Sequence, residues 1–533
     1  MIHVIAYDFG TTGVKTCLFG IEDHISLITS AYKGYELFIL DNGGAEQDAD
    51  EWWQAMCLTT KEIFMKTDVR PDQIAGISFC SQMQGMVLVD DAGNALRRPM
   101  SYMDQRGTKE FSDVMGKGLI KISGCDVFKL LKNLKVNNAA PTSVKDPIWK
   151  YKWVENNEPE VFAKAHKWLD VKEYLIARCT GEFVMTKDSA FATFLYDTRK
   201  GHEGWNDSLV KLYGIKKEHL PRLIGCSDEA GRLTEQAAKE LGLEPGTPVF
   251  GGGGDATLIG VGAGCTEPGQ THVYVGTSGW VSTVLDKQVV DVDAMIAGVV
   301  GAEDGRYNYF AEMETAGKSF EWVKDHVVLD EIDVYLSKIH VAESEESTYV
   351  SIYDYLSDEA MKVPAGSGGV IFTPWLHGNR CPFEDPAAAG IFFNVKIDTS
   401  KAQVIRAVLE GTCYHLRWML ECESKKVPTS DVIRFVGGGA LSPLTCQILA
   451  DVTGRTVEVV EGTQDVGAVG AAMLVAVGTK TISSLSEAGK YVKVSHRHVP
   501  RSEDKAVYDR NYRVFQELYK NNKKSFQVLN QEV

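Results

Sequence analysis

Residues 5–19 read I-A-Y-D-F-G-T-T-G-V-K-T-C-L-F. An apolar run ends in Asp8, a glycine–threonine turn follows, and Lys15 opens the next apolar run. A tight turn of this kind directs successive backbone N–H groups at one point, and such a nest binds anions. Gly10 permits the backbone angles and the close approach. Thr11 and Thr12 add hydroxyl donors, and Lys15 can neutralise a phosphate. Asp8 stands where it could hold Mg²⁺ through water, because Mg²⁺ keeps waters and takes one or two carboxylates. Read from these residues alone, the stretch also fits a plain hairpin whose Gly and Thr serve the turn.

Two further glycine turns bear on that choice. G-T-S-G at 276–279 repeats the first pattern between apolar strands. Two such turns facing a cleft would clamp a polyphosphate from both sides. V-G-G-G-A-L-S at 436–442 joins a strand-like I-R-F-V to a helix-like P-L-T-C-Q-I-L-A. A turn without side chains lets a flat ring approach the backbone, although glycine there also serves strand-to-helix packing. No G-x-x-x-x-G-K-[ST] and no G-x-G-x-x-G occurs, so P-loop NTPases and ordinary dinucleotide folds lose support. Protein kinases do too, since no H-R-D occurs and the D-F-G at 8–10 stands at the start of the chain with no catalytic loop before it. Ser278 is not a hydrolase nucleophile, because Gly279 and Trp280 follow it directly and break the G-x-S-x-G elbow.

These turns need strands to carry them, and the chain supplies an α/β alternation. Residues 2–7, 14–19 and 25–38 read as a three-stranded start. Residues 49–66 read as a helix, with Trp52, Ala55, Met56, Ile63 and Phe64 on its apolar face. I-A-G-I-S-F at 74–79 reads as a buried strand. A second start follows E-P-G-T-P at 244–248, and the two G-T-[TS]-G turns at equivalent places point to a duplicated unit. The chain of 533 residues is too long for one core. We expect domains over 1–248 and 249–495. The tail, 496–533, carries an amphipathic helix at 503–526 that docks on the body.

The formal charge is −16, which argues against nucleic acid or an anionic membrane as the main partner. The 11 cysteines show no C-x-x-C pair and read as reduced thiols of a cytosolic protein. No run of 18 apolar residues exists, and M-I-H-V-I-A-Y-D reaches an acid too early for a signal peptide. The histidines form no metal set of the H-E-x-x-H kind.

D-F-G-T-T-G-V-K, V-G-T-S-G and V-G-G-G-A-L-S together resemble the ATPase fold shared by sugar kinases, Hsp70-type chaperones and actin. E-Q-D-A-D-E-W-W at 46–53, S-Q-M-Q-G at 81–85, M-D-Q-R at 103–106 and G-G-G-D-A at 252–256 narrow this to the FGGY carbohydrate kinases. A-G-K-S-F-E-W at 316–322, C-P-F-E-D-P-A-A-A-G-I-F at 381–392 and R-A-V-L-E-G at 406–411 agree. The resemblance runs through nearly the whole chain, and the xylulose kinases are the most similar branch.

The resemblance implies two ribonuclease-H-like (actin-like ATPase) domains with a cleft between them. It also implies transfer of the γ-phosphoryl of ATP to a sugar hydroxyl. Asp255 matches the catalytic base, with a contact to sugar and a possible one to Mg²⁺. Without the resemblance it reads equally as a catalytic carboxylate or as an aspartate in a turn. Gly10, Thr11, Thr12 and Lys15 match the first phosphate hairpin, and Asp8 the metal-side carboxylate. Gly276 and Thr277 match the second phosphate turn. Gly317, Gly438, Gly439 and Ala440 match the nucleotide pocket, with Ser442 nearby. Gln82, Met83, Gln84 and Asp104 match the sugar-contacting segment.

The chain leaves the xylulose-kinase pattern at two places, both beside the expected sugar. Q-M-H-G has become Q-M-Q-G at Gln84, and G-D-N has become G-D-A at Ala256. Losing polar groups of this kind alters discrimination between sugars. The expectation is therefore an ATP- and Mg²⁺-dependent cytoplasmic kinase of a ketopentose such as D-xylulose, able to form a homodimer. Another ketose, a polyol or a related small carbohydrate is the alternative, and an actin- or chaperone-type ATPase the reading from another class.

Overall fold

The computed structural model describes residues 1–122, 124–328 and 351–530. Two large sheets organise the chain. The first is built on β1 (Ile2–Phe9), β2 (Gly13–Ile21) and β3 (Ile25–Gly34), an antiparallel meander. The strand β4 (Ile74–Ser81) then runs parallel to β1. Between them the helix α1 (Ala49–Met65) covers one face, capped by the Asp48 carboxylate, which accepts from the Asp50 and Glu51 N–H groups. It buries Trp52, Ala55, Met56 and Ile63 against the sheet, as its apolar spacing predicts, while Phe64 is half-buried.

The third strand ends at Gly34 and does not reach residue 38. Leu37–Ile39 turns away to pair with Ala45–Gln47. The Tyr35 N–H instead donates to the Thr12 carbonyl, so the chain folds back over the first glycine turn.

The second sheet repeats the plan. β8 (Thr271–Val275) and β9 (Gly279–Leu285) form a hairpin, β12 (Tyr307–Met313) pairs antiparallel with β9, and β13 (Val432–Val436) runs parallel to β8. The strands β10 (Val290–Asp291), β11 (Ile296–Val300), β14 (Thr456–Val460) and β15 (Val494–His498) extend the two sides. Both glycine turns thus join the first two strands of equivalent meanders.

The strands β5 (Glu229–Arg232), β6 (Pro248–Phe250) and β7 (Gly253–Gly254) extend the first sheet beside β4. The first sheet therefore continues past residue 248 and includes the glycine run.

Two helices tie the halves together. The helix α2 (Asp255–Gly262) starts where β7 ends, and α3 (Val466–Gly478) packs against it and against β1 and β4. Their contact is close because it is made of small residues. A Cβ on Gly262 would lie 1.8 Å from the Val466 carbonyl oxygen, and one on Gly470 would lie 2.5 Å from the Leu258 carbonyl oxygen. The tail helix α4 (Lys505–Asn530) buries Tyr508, Tyr512, Phe515, Leu518, Tyr519 and Phe526 in the core of the second half. All 11 cysteines are free thiols, and no described helix is long and apolar enough to cross a membrane.

Candidate active site

The register of the first sheet places three residues in a row. Asp8 pairs with Cys80, and Cys80 pairs with Gly253. At strand spacing this sets Asp8 about 10 Å, backbone to backbone, from Gly253, two residues before Asp255. The four glycines 251–254 are buried rather than a flexible run. A Cβ on Gly252, whose φ is +70°, would strike the Phe79 carbonyl oxygen at 2.3 Å, and one on Gly254 would strike Met83 Sδ at 2.1 Å. Glycine here buys close approach of backbone to backbone, with conformational freedom lost in the fold.

Asp255 is the first residue of α2, and its Oδ1 accepts from the Ala256 N–H at 2.8 Å. Burial, with the charges of Asp8 and Glu312 nearby, pushes its carboxyl up to about 7. Asp8 is pushed up to about 6, chiefly by burial, while Lys15 opposes the rise and Asp465 adds to it. Burial is the main cause at both carboxyls, and the Asp8 charge adds to the rise at Asp255.

Both glycine turns leave their threonines open. Gly10 and Thr12 are exposed, Thr11 is half-buried, and Thr277 of the second turn is exposed. The first turn is braced by the Gly10 N–H on the Gly13 carbonyl, the Tyr35 hydroxyl on the Gly10 carbonyl, and Gln47 Nε2 on the Thr11 carbonyl at 2.6 Å. Lys15 extends from β2 to Asp465, 3.0 Å away at the start of α3.

In the second half the Gly276 N–H donates to the Ser278 carbonyl, and the Gly317 N–H donates to the Gly276 carbonyl at 2.9 Å. A Cβ on Gly317 would sit 2.4 Å from that same oxygen. Gly437 and Gly439 press equally close on Val275. Gly276, Thr277, Gly317 and the turn at Gly438, Gly439 and Ala440 therefore share one corner. Ser442 caps the next helix, Pro443–Thr453, through the Thr445 N–H, and its hydroxyl lies 3.3 Å from that of Ser357.

The segment at 82–85 adjoins both features. The Gln82 N–H donates to the Phe9 carbonyl, and its side-chain amide donates to Gln47 Oε1, so Gln82, Gln47 and Thr11 form a chain toward the first turn. Gln84 sits in the left-handed region at φ 63°, and its carbonyl accepts from the buried Lys150 ammonium at 2.7 Å. Lys150, Gln47 and Asp465 were not legible as site residues, because each reaches the site only through contacts distant in the chain. Asp104 is fully buried, and its carboxylate is engaged by Arg106 and the Ala45 N–H. Arg106 also meets Glu46, which pairs in turn with Arg97.

Two meanders of the same plan, each joining its first two strands by a glycine–threonine turn, define a two-domain actin-like ATPase fold. Residues 3–262 match the FGGY family of carbohydrate kinases, N-terminal domain, and residues 272–479 match its C-terminal domain. The chain belongs to the FGGY family of carbohydrate kinases. It is 27% identical to a gluconokinase of Bacillus subtilis over 513 residues, covering 95% of this chain and 93% of that protein. It is also 27% identical to a xylulose kinase of Staphylococcus epidermidis over 526 residues, covering 98% and 97%. Among solved structures it resembles a ligand-bound xylulose kinase from Lactobacillus acidophilus, with TM-score 0.85, 25% identity, and coverage of 99% and 100%. A gluconate kinase from the same species gives TM-score 0.84 at 24% identity over 99% of each chain, a likeness of fold.

Proposed function

We propose that this chain transfers the γ-phosphoryl of ATP to a hydroxyl of an open-chain ketopentose of the D-xylulose kind, with Asp255 accepting the hydroxyl proton. The observation that carries this is the seating of Asp255. Its leading glycine touches Met83 of the sugar-side segment, while Asp8 shares its sheet and borders the first glycine turn. A carboxylate raised to about 7 suits a general base working near neutral pH.

Thr11, Thr12, Gly10 and Lys15 hold the phosphates from one side, and Gly276 and Thr277 from the other. Gly317, Gly438, Gly439 and Ala440 take the base and ribose, with Ser442 at the rim. Gln82, Met83 and Gln84 border the sugar, and Asp104 supports that wall from behind through Arg106. The described residues hold no cluster of three or more ligating side chains. A hydrated Mg²⁺ carried on the phosphates would meet Asp8 through water, with Asp255 nearby. Asp8 and Asp255, both raised chiefly by burial, supply carboxylate oxygens of the kind Mg²⁺ takes. When bound with ATP, Mg²⁺ would neutralise charge on the transferred phosphoryl oxygens.

A neutral sugar is favoured over a sugar acid by the local charge balance. Arg97 and Arg106 are matched by Glu46, Glu158 and Asp104, and Arg380 by Glu312. Lys150 lies in the field of Asp104, Asp146 and Asp170. A coupled assay of ADP release across D-xylulose, other ketopentoses, pentitols and gluconate tests the reading. Release that is greatest with D-xylulose supports it. Release stimulated by gluconate and not by ketopentoses overturns the sugar assignment, and turnover indifferent to any sugar overturns the transfer.

A further inference from the structure

Against the glycine run lies a buried charged cluster. Asp188, 1% exposed, accepts the Gly254 N–H on Oδ2 at 2.8 Å. Its Oδ1 accepts the Thr186 hydroxyl at 2.5 Å and faces the Cys226 thiol. Lys172, 0% exposed, donates to the Thr186 and Ser189 hydroxyls at 2.6 and 2.5 Å and pairs with Glu173. Burial opposes ionisation of Asp188, but the Lys172 charge, the Thr186 hydroxyl and the Gly254 N–H outweigh it and hold its carboxyl below the usual range.

Burying two carboxylates around one ammonium costs more than filling the same volume with apolar side chains. Once formed, such a cluster fixes the groups it bonds in one geometry. What it fixes here is Gly254, the N-cap residue of the helix that Asp255 begins. Gly254 has no side chain to cap with, and Asp188 takes its backbone N–H as the acid of a capping box does, but from another part of the chain. Met83 closes the opposite side of the same glycine. Gly254 is thus held between Met83 and Asp188.

We propose that Asp188, steadied by Lys172 through Thr186, is a positioning residue that sets the angle and height of the Asp255 carboxylate. It touches no substrate and acts only through the Gly254 N–H. This rests on the reading of Asp255 as the base. A displacement of about 1 Å at a reacting group can cost about 10²-fold in rate.

The test uses the full chain with ATP, Mg²⁺ and the sugar that the substrate panel selects. Asp188→Ala, Asp188→Asn and Asp255→Asn are compared in kcat, both KM values and the number of MgADP sites titrated per chain. The Asp188→Ala variant should lose about 10²-fold in kcat per titrated nucleotide site, with KM for ATP within about twofold of wild type. The Asp188→Asn variant keeps an acceptor oxygen for Gly254 and should recover at least about tenfold of that loss. A merely structural role would instead lower the titrated sites in step with the rate. An Asp188→Ala kcat per site within about twofold of wild type overturns the proposal. If the alanine variant binds no nucleotide, the asparagine variant decides. With full site occupancy its kcat should be several-fold below wild type, and a wild-type kcat overturns the proposal. Asp255→Asn separates the two ideas, since its retaining activity sinks the base assignment whatever Asp188 does. An inactive Asp255→Asn beside a wild-type Asp188→Ala sinks only the positioning role.

Discussion

Lys15 and Asp465, 450 residues apart in the chain, meet at 3.0 Å. One stands on the second strand of the first sheet, the other at the start of the helix Val466–Gly478 that packs on that sheet. The Lys15 ammonium also donates to the Gln464 carbonyl at 3.3 Å. Burial alone would lower its pKa, but the Asp465 hydrogen bond and charge outweigh burial and raise it. The lysine of the first glycine turn is therefore held charged by the chain segment that closes the second half.

That arrangement makes Lys15→Met informative. Removing a charged donor to phosphate should raise KM for ATP about tenfold or more, with KM for the sugar nearly unchanged. Steady-state kinetics with each substrate varied in turn provides the measurement. An unchanged KM for ATP would show that Lys15 serves only the ion pair.

The close helix pair predicts a stability effect remote from chemistry. A Cβ on Gly262 would lie 1.8 Å from the Val466 carbonyl oxygen, and backbone cannot move aside as a flexible side chain can. Gly262→Ala should destabilise the protein by about 1–3 kcal/mol or more, seen as a lower midpoint in urea. A variant as stable as wild type would mean that the two helices are not held this closely in solution.

A buried acid predicts how stability depends on pH. Glu423 accepts the Thr283 hydroxyl at 2.6 Å, and burial pushes its carboxyl up to about 8 from an ordinary 4.5. The folded value lies above the unfolded one, so folding favours the protonated form. This contribution is fully present below about pH 4.5 and is lost as pH rises through 8. Glu423→Gln should flatten the fall in melting temperature between those values and be the more stable protein at pH 8. Parallel profiles for the two proteins would contradict the assignment of that slope to Glu423.

Local pattern carried much of this fold. The two glycine–threonine turns announced themselves by composition, and the α1 face by its spacing of Trp52, Ala55, Met56 and Ile63. The tail helix did so by its aromatic stripe. Partners distant in sequence left no such trace. The glycine run 251–254 looks pliable in sequence, yet residues 79, 83 and 188 pack closely around it. The strand expected to reach residue 38 stops at Gly34, because Leu37–Ile39 finds a better partner in Ala45–Gln47. The enclosure of Asp104 by Arg106 and the Ala45 N–H left no trace either, because Ala45 lies 59 residues away. Lys172 and Asp188 carry no motif, since their meaning lies in a single backbone N–H some 66 residues beyond Asp188.

The most direct test of the account is Asp255→Asn in the ATP–sugar transfer assay, with ATP binding measured beside it by calorimetry. Transfer should fall ~10²- to 10⁴-fold while the affinity for ATP stays within about twofold of wild type. A variant that keeps most of the wild-type transfer rate would contradict the role of Asp255 as the base.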